Sequence, residues 1–217
     1  MGVVDDGGRL IGVITFDDVV DVIEEEAEED FLLMSGIQET DITESVFVAS
    51  KNRVIWLIIN LGTAILASMV ITIFDATIEQ MVALAVLMPI VASMGGNAGT
   101  QTMTVTVRAI ATRELTSTNV KRIVFREFSI ALVNGVIIAA LIGGLSWLWF
   151  ENITLGAVMG IAMIANMVMA GLAGILIPIT LDKIDVDPAL ASSIFVTTVT
   201  DVIGFFAFLG LASLVLM

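Results

Sequence analysis

Long stretches without a charged residue dominate this chain and restrict it to folds that lie in a lipid bilayer. Residues 54–74 carry no charge, and these 21 residues, as a helix, cross about 30 Å of hydrocarbon. Four further stretches are long and apolar, and only the last contains a charge: 81–107, 128–150, 152–181 and 188–217. The sequence therefore predicts an all-α membrane protein with five transmembrane helices per chain.

Charge and composition separate a water-facing segment from the lipid-facing body. Residues 1–50 hold 14 acids and one base, whereas residues 51–217 hold nine acids and eight bases. Because no basic patch exists, nucleic acid is not expected as a partner. The chain has no Cys and no His, which excludes disulfides, zinc sites and Ser-His-Asp triads built within it. Oxygen ligands and Met sulfur remain for any metal.

The distribution of Lys and Arg predicts the orientation. With five alternating spans, the N-terminal segment and the loops near 108–126 and 182–187 share one side and hold all nine basic residues. The opposite loops carry Asp75, Glu79 and Glu151 and no base. Since basic loops stay on the cytoplasmic side, we expect a multi-pass protein of the inner (plasma) membrane with a cytoplasmic N-terminus and an outside C-terminus.

The N-terminal 50 residues predict two small soluble parts. Residues 1–20 read as two short strands, a Gly-rich turn and the start of a helix capped by Asp17 or Asp18. Two strands are not stable alone, so we expect the chain to begin partway through a domain. Residues 21–50 predict an acidic connecting helix, and residues 51–217 the transmembrane domain. The nine acids within residues 17–30 indicate either a solvated helix or a site for divalent cations.

Asp201 is the residue most indicative of function. A carboxylate at bilayer depth is costly and is normally kept facing a bundle interior or a water-filled path. Helical spacing places Ser193, Thr197 and Asp201 on one face, which predicts a polar stripe along an ion path. The alternative is that the hydroxyls bond their own helix and that Asp201 is protonated or paired structurally.

The second hydrophobic stretch contains its own polar segment. Pro89 and the three glycines within residues 95–101 predict that the helix backbone opens there, toward the same interior as Asp201. Asn97, Thr100 and Thr104 then form a second polar stripe. The alternative is that the glycines allow close helix packing.

Oxygen ligands favour a hard divalent cation such as Mg²⁺, Ca²⁺ or Mn²⁺. Because Mg²⁺ gives up water reluctantly, we expect it to pass as a hydrated ion. A two-fold dimer brings two copies of Asp201 to its axis, and we expect a pore for the hydrated ion there. Two other functions are open: a proton-coupled secondary transporter of divalent cations, and an intramembrane aspartyl enzyme. An enzyme is not expected, because such chemistry needs a second carboxylate beside the first.

Two long motifs resemble the membrane domain of the MgtE-type magnesium channels and transporters. They are PIVASMGGNAGTQTMTVTVRAIATREL at residues 89–115 and DVDPALASSIFVTTVTDVIGFFAFLGLA at residues 185–212. The segment GRLIGVITFDDVVDVIEEEAEED at residues 8–30 is similar to the end of the second cystathionine-β-synthase (CBS) domain of that family and its connecting helix. The resemblance covers essentially the whole chain.

This resemblance implies a homodimer in a lipid bilayer, with five helices per chain and channel-like uptake of Mg²⁺ through an axial pore. Asp201 matches the pore aspartate that holds hydrated Mg²⁺, and Thr197, Asn97, Thr100 and Thr104 match positions beside the pore. In the full-length family, acidic residues bind cytosolic Mg²⁺ and close the pore, so Mg²⁺ is both transported and regulatory. The matching acids here are Asp18, Asp21, Glu26, Glu29 and Asp30.

Overall fold

A computed structural model of the chain describes residues 1–34, 45–116 and 118–216, apart from the side chains of residues 26, 27, 30, 190 and 191. Within these residues, two strands precede seven helices. In chain order they are β1 Gly2–Val4, β2 Leu10–Val13, α1 Phe16–Met34, α2 Val46–Ile73, α3 Asp75–Gln80, α4 Ala83–Ala111, α5 Val120–Phe150, α6 Ile153–Lys183 and α7 Pro188–Val215.

Five of these helices, α2 and α4 to α7, are long and apolar enough to cross a membrane, which confirms the predicted number of spans. Except for α7, each of them begins or ends beyond its uncharged stretch. Lys51 and Arg53 lie inside α2, and Arg126 and Glu127 lie inside α5. Charged residues at helix ends place their polar groups at the level of the lipid headgroups, so the helix continues where the hydrocarbon ends.

The centre of the bundle is α6, which packs against α4, α5 and α7. Its sequence is apolar on all sides, as expected for a helix surrounded by others. Met159 and Met163 of α6 are fully buried, together with Leu87 of α4 and Phe208 of α7. By contrast, α2 lies at the edge with α7 as its main neighbour, and Ala67 is its buried residue.

The N-terminal residues form the predicted β-β-α arrangement. Strands β1 and β2 are antiparallel, and the Asp5 carboxylate accepts hydrogen bonds from the main-chain N–H groups of Gly7 and Arg9 in the turn between them. The predicted helix cap is wrong by a few residues. Thr15 precedes α1, and its hydroxyl accepts from the Asp18 N–H while its own N–H donates to the Asp18 carboxylate at 2.7 Å. This reciprocal pair satisfies two otherwise unpaired groups, so Thr15 is the cap.

The far end of α1 reaches the membrane helices. Leu33 is buried and belongs to an apolar cluster with Met103 and Val107, near the end of α4, and with Ala189 and Val196, in the first half of α7. Among the membrane helices, α1 packs mainly on α7.

The backbone opening predicted within residues 95–101 does not occur, since α4 is one helix from Ala83 to Ala111 and includes Pro89. The glycines instead allow close approach. A Cβ atom on Gly95 would collide with the Asn166 carboxamide, and one on Gly99 with Val196. A helix keeps its backbone hydrogen bonds in hydrocarbon, so helix packing, the alternative interpretation, accounts for these glycines.

Candidate metal ion site

Asp201 lies midway along α7, with its carboxylate partly exposed in the single chain. Its neighbours hold the helix in place. Thr200 is fully buried against Gly99 of α4, and a Cβ atom on Gly204 would lie 2.7 Å from the Asn166 carboxamide of α6. In the part of the chain that the structure describes, no residue forms a hydrogen bond or ion pair with the Asp201 carboxylate. The helix that carries Asp201 is therefore held in place, while the carboxylate itself has no partner among the described residues.

The hydroxyls near Asp201 donate to their own helix. Thr197 Oγ1 lies 3.0 Å from the Ser193 carbonyl oxygen, and Thr198 Oγ1 lies 2.6 Å from that of Ile194. This is the hydrogen-bonding pattern that the structural alternative requires. It also leaves lone pairs on the hydroxyl oxygens, which can accept from the water shell of an ion.

A polar stripe runs along the exposed face of α4. Asn97 and Thr104 are exposed, Thr100 is partly exposed, and Thr104 Oγ1 donates to the Thr100 carbonyl at 2.9 Å. Ser93, Gln101 and Arg108 share this face at helical spacing and are at least partly exposed. Gly95, Gly99 and Met103 occupy the opposite, buried face. Ser93 and Arg108 were not among the predicted residues, although the same helical spacing that joins Asn97 to Thr104 extends to both.

The polar stripes of α4 and α7 are close together at Thr197 of α7, whereas Asn97 of α4 lies beside α5 instead. A Cβ atom on Gly96 would be 3.8 Å from Thr197 Cγ2, so Thr197 lies beside α4. Asn97, in contrast, lines a cavity of about 200 Å³ together with Gln101 and with Asn134 of α5. These three carboxamides form one polar group. It could not be predicted from spacing along one helix, because Asn134 belongs to another helix.

Asn166 connects three helices behind the site. It is fully buried on α6, and its Nδ2 donates to the Val91 carbonyl of α4 at 2.8 Å. An interhelical hydrogen bond of this kind gives a partner to a carboxamide that lies within an apolar span. Its carboxamide also packs against Gly95 of α4 and Gly204 of α7. Asn166 therefore helps to fix the helix that carries Asp201.

The acidic residues of α1 are spread over its surface. Asp18, Asp21 and Glu29 are exposed, whereas the side chains of Glu26 and Asp30 lie outside the described residues. Hydrogen bonds from the main-chain N–H and the hydroxyl of Thr15 hold the pKa of Asp18 below its usual value. Among the described residues, no three acidic side chains come close enough to hold a metal ion together.

Comparison with known proteins gives concordant matches. Residues 88–211 match a family model, MgtE, described as a divalent cation transporter. The chain is 35% identical to the magnesium transporter MgtE of Bacillus subtilis over 97% of its own length and 47% of the relative's. The corresponding protein of Enterococcus faecalis is 33% identical over 98% of this chain and 47% of its own. That of Thermus thermophilus is 34% identical over 99% and 48%. The chain thus spans about half the length of these relatives.

Proposed function

This chain belongs to the MgtE family of divalent cation transporters, and from that premise we propose that it conducts hydrated Mg²⁺ across a membrane along a path that contains Asp201. The observation that carries this proposal is the partly exposed Asp201 carboxylate on α7, without a partner among the described residues. The relatives are named as magnesium transporters, which also fits a protein that is not an enzyme.

A homodimer provides the path. The exposed stripe of α4 places Asn97, Thr100 and Thr104 on a face that the other described helices leave at least partly uncovered in the single chain. Polar groups at this depth need water or protein against them. A second copy related by a two-fold axis brings its own stripe and a second Asp201 to the same channel. Two carboxylates and several hydroxyls then contact an ion through its water shell, which avoids the cost of stripping Mg²⁺.

The membrane potential drives uptake. We place the N-terminus and the loop between α4 and α5 in the cytoplasm of a cell bounded by the inner membrane, because the basic residues lie there. A divalent ion that crosses toward an interior at −100 mV gains about 4.6 kcal/mol, since each charge gains about 2.3 kcal/mol. This free energy suffices for passive, channel-like entry.

The acidic helix regulates the path. In this proposal, residues 1–20 are the end of a CBS domain, residues 21–50, of which 35–44 lie outside the described residues, connect it to the membrane domain, and residues 51–217 conduct the ion. Cytosolic Mg²⁺ binds among Asp18, Asp21, Glu26, Glu29 and Asp30. Because α1 packs on α7, and Leu33 belongs to the same apolar cluster as Val196, the neighbour of Thr197, movement of α1 reaches the part of α7 that faces the ion.

The direct test is Asp201→Asn in proteoliposomes that contain a Mg²⁺ indicator and hold a fixed potential. We expect Mg²⁺ flux to fall to background while the dimer stays intact. Asp75→Asn is the matched control, because it removes the same charge from an exposed position beyond the end of α2 and should preserve flux. Undiminished flux through the Asp201 variant would refute the assignment.

The same vesicles separate conduction from proton coupling. We expect an imposed pH gradient, at a fixed Mg²⁺ gradient and zero potential, to leave the flux unchanged. Flux that follows the pH gradient would instead identify a proton-coupled secondary transporter.

A further inference from the structure

A cavity of about 240 Å³ lies where α4 ends and α5 begins, and Arg108, the last residue of the polar stripe on α4, is part of its wall. Its wall combines charged and apolar side chains, among them Arg108, Glu114, Arg126, Glu127, Val105 and Leu115. Its volume is several times the 30 Å³ or so that one water occupies in the liquid, so it can hold a polar group of several atoms.

The wall of this cavity holds two arginines and two glutamates, but the bases of the surrounding residues favour an anion. Glu127 is 6% exposed, and its carboxylate is already paired with Arg126 at 3.3 Å. The Arg126 side chain lines the cavity and remains 67% exposed, and Arg108, also in the wall, is exposed as well. The surrounding residues 108–127 hold five bases and two acids, within a chain whose formal charge is −14. This is the cationic region of an acidic protein.

Exposed apolar residues near the two arginines in the chain indicate where the rest of the ligand lies. Val105 is 54% exposed one turn before Arg108. Phe125 is 70% exposed beside Arg126, with its ring stacked on Phe128. Exposed apolar side chains next to exposed arginines at the ends of membrane helices are typical of the boundary between hydrocarbon and headgroups. A ligand that fits both surfaces has an anionic group and a hydrocarbon chain.

We propose that this cavity binds the phosphodiester group of a membrane phospholipid. Arg108 and Arg126 donate charge-assisted hydrogen bonds to the phosphate oxygens, and the glycerol and acyl chains extend past Val105. The proposal rests on the proposed function only for orientation, which assigns the cavity to the cytoplasmic leaflet. Lipid binding itself needs neither ion conduction nor the Asp201 assignment.

The test measures phosphatidylglycerol binding to the whole purified chain in detergent by native mass spectrometry. Arg108→Gln should weaken binding about tenfold, because one charge-assisted contact is lost. Arg122→Gln is the matched control, since it removes the same charge from the same connecting region at an exposed residue outside the cavity wall, and it should change affinity less than about twofold.

Arg108→Lys provides a second variant that keeps the charge and loses the planar donor pair, and it should weaken binding by a smaller factor. Equal weakening by the Arg108 and Arg122 substitutions would overturn the proposal, because attraction would then be general. Complete displacement of the lipid by millimolar inorganic phosphate would also overturn it, since the acyl chains would contribute nothing. Both outcomes are measured as lipid binding and need no transport assay. Neither therefore depends on whether an ion passes along a path that contains Asp201.

Discussion

The Asn166 side chain on α6 and the Val91 carbonyl on α4 form a hydrogen bond of 2.8 Å in the buried centre of the bundle. Val91 also lies within α4, so its carbonyl serves both its own helix and the neighbouring one. The Asn166 carboxamide fills the space that Gly95 and Gly204 leave on either side. One amide thus holds together the three helices around the candidate ion site.

Replacing Asn166 with Ala should lower the free energy of unfolding by about 1 to 3 kcal/mol, because the variant loses a buried hydrogen bond and opens a cavity. Asn60→Ala is the control, since Asn60 is exposed on α2, and the expected change is within about 0.5 kcal/mol. Denaturant titration in detergent micelles measures both. Equal stability of the Asn166 variant and the parent would show that this bond contributes little.

Two adjacent glycines of α5 should respond oppositely to alanine. A Cβ atom on Gly143 would lie 2.8 Å from the Gly156 carbonyl oxygen of α6, whereas one on Gly144 would meet nothing within 4 Å. Gly143→Ala should cost about 1 to 3 kcal/mol by forcing the helices apart. Gly144→Ala should be neutral or stabilise the protein by up to about 1 kcal/mol, through helix propensity. Thermal unfolding of the two variants compares them directly, and the reverse order would contradict the α5–α6 contact.

Thr104 and Thr106 provide a matched pair for the ion path. Both hydroxyls donate to the carbonyl four residues earlier, but Thr104 is exposed on the polar stripe and Thr106 is buried. Thr104→Val should lower Mg²⁺ flux about fivefold, which corresponds to about 1 kcal/mol of lost interaction with the ion's water shell. Thr106→Val should leave flux nearly unchanged. Mg²⁺ flux is measured for both variants at one membrane potential. Equal loss of flux in the two variants would show that the polar stripe of α4 does not line the ion path.

Asp21 on α1 should influence the response to cytosolic Mg²⁺. Asp21→Asn removes one charge from the proposed regulatory surface and should raise the Mg²⁺ concentration for half-maximal closure about threefold, because divalent cation affinity depends on the number of charged ligands. Asp6→Asn, an exposed acid in the N-terminal hairpin, is the control. The readout is channel current in excised patches as bath Mg²⁺ is varied. A shift of the same size in the control would indicate a general charge effect.

Features that depend on one segment at a time could be predicted from the sequence. The five spans follow from uncharged stretches, and the turn between β1 and β2 follows from residues 5–8, where Gly8 has a φ of 75°. The interhelical bond of Asn166 was also predictable, since a carboxamide in hydrocarbon needs a partner.

Features that depend on a neighbouring helix could not be predicted. Gly95 and Gly99 are compatible with a broken helix or with a tightly packed one. The packed helix is distinguished by Asn166 and Val196, which lie on other helices and occupy the space beside the two glycines. The direction of Asn97 toward Asn134 depends on how α5 is placed. The charged cavity at Arg108 and Glu127 likewise joins two helices across a connection of irregular structure.

The final helix, α7, contacts α1, α2, α4 and α6, although it is the last of the described helices to leave the ribosome. Until α7 emerges, the apolar cluster around Leu33 lacks Ala189 and Val196, and α2 lacks its main neighbour. During biosynthesis, the packing of the described helices is therefore complete only after α7 has been made. The contacts of the acidic helix with α7 form only after that point.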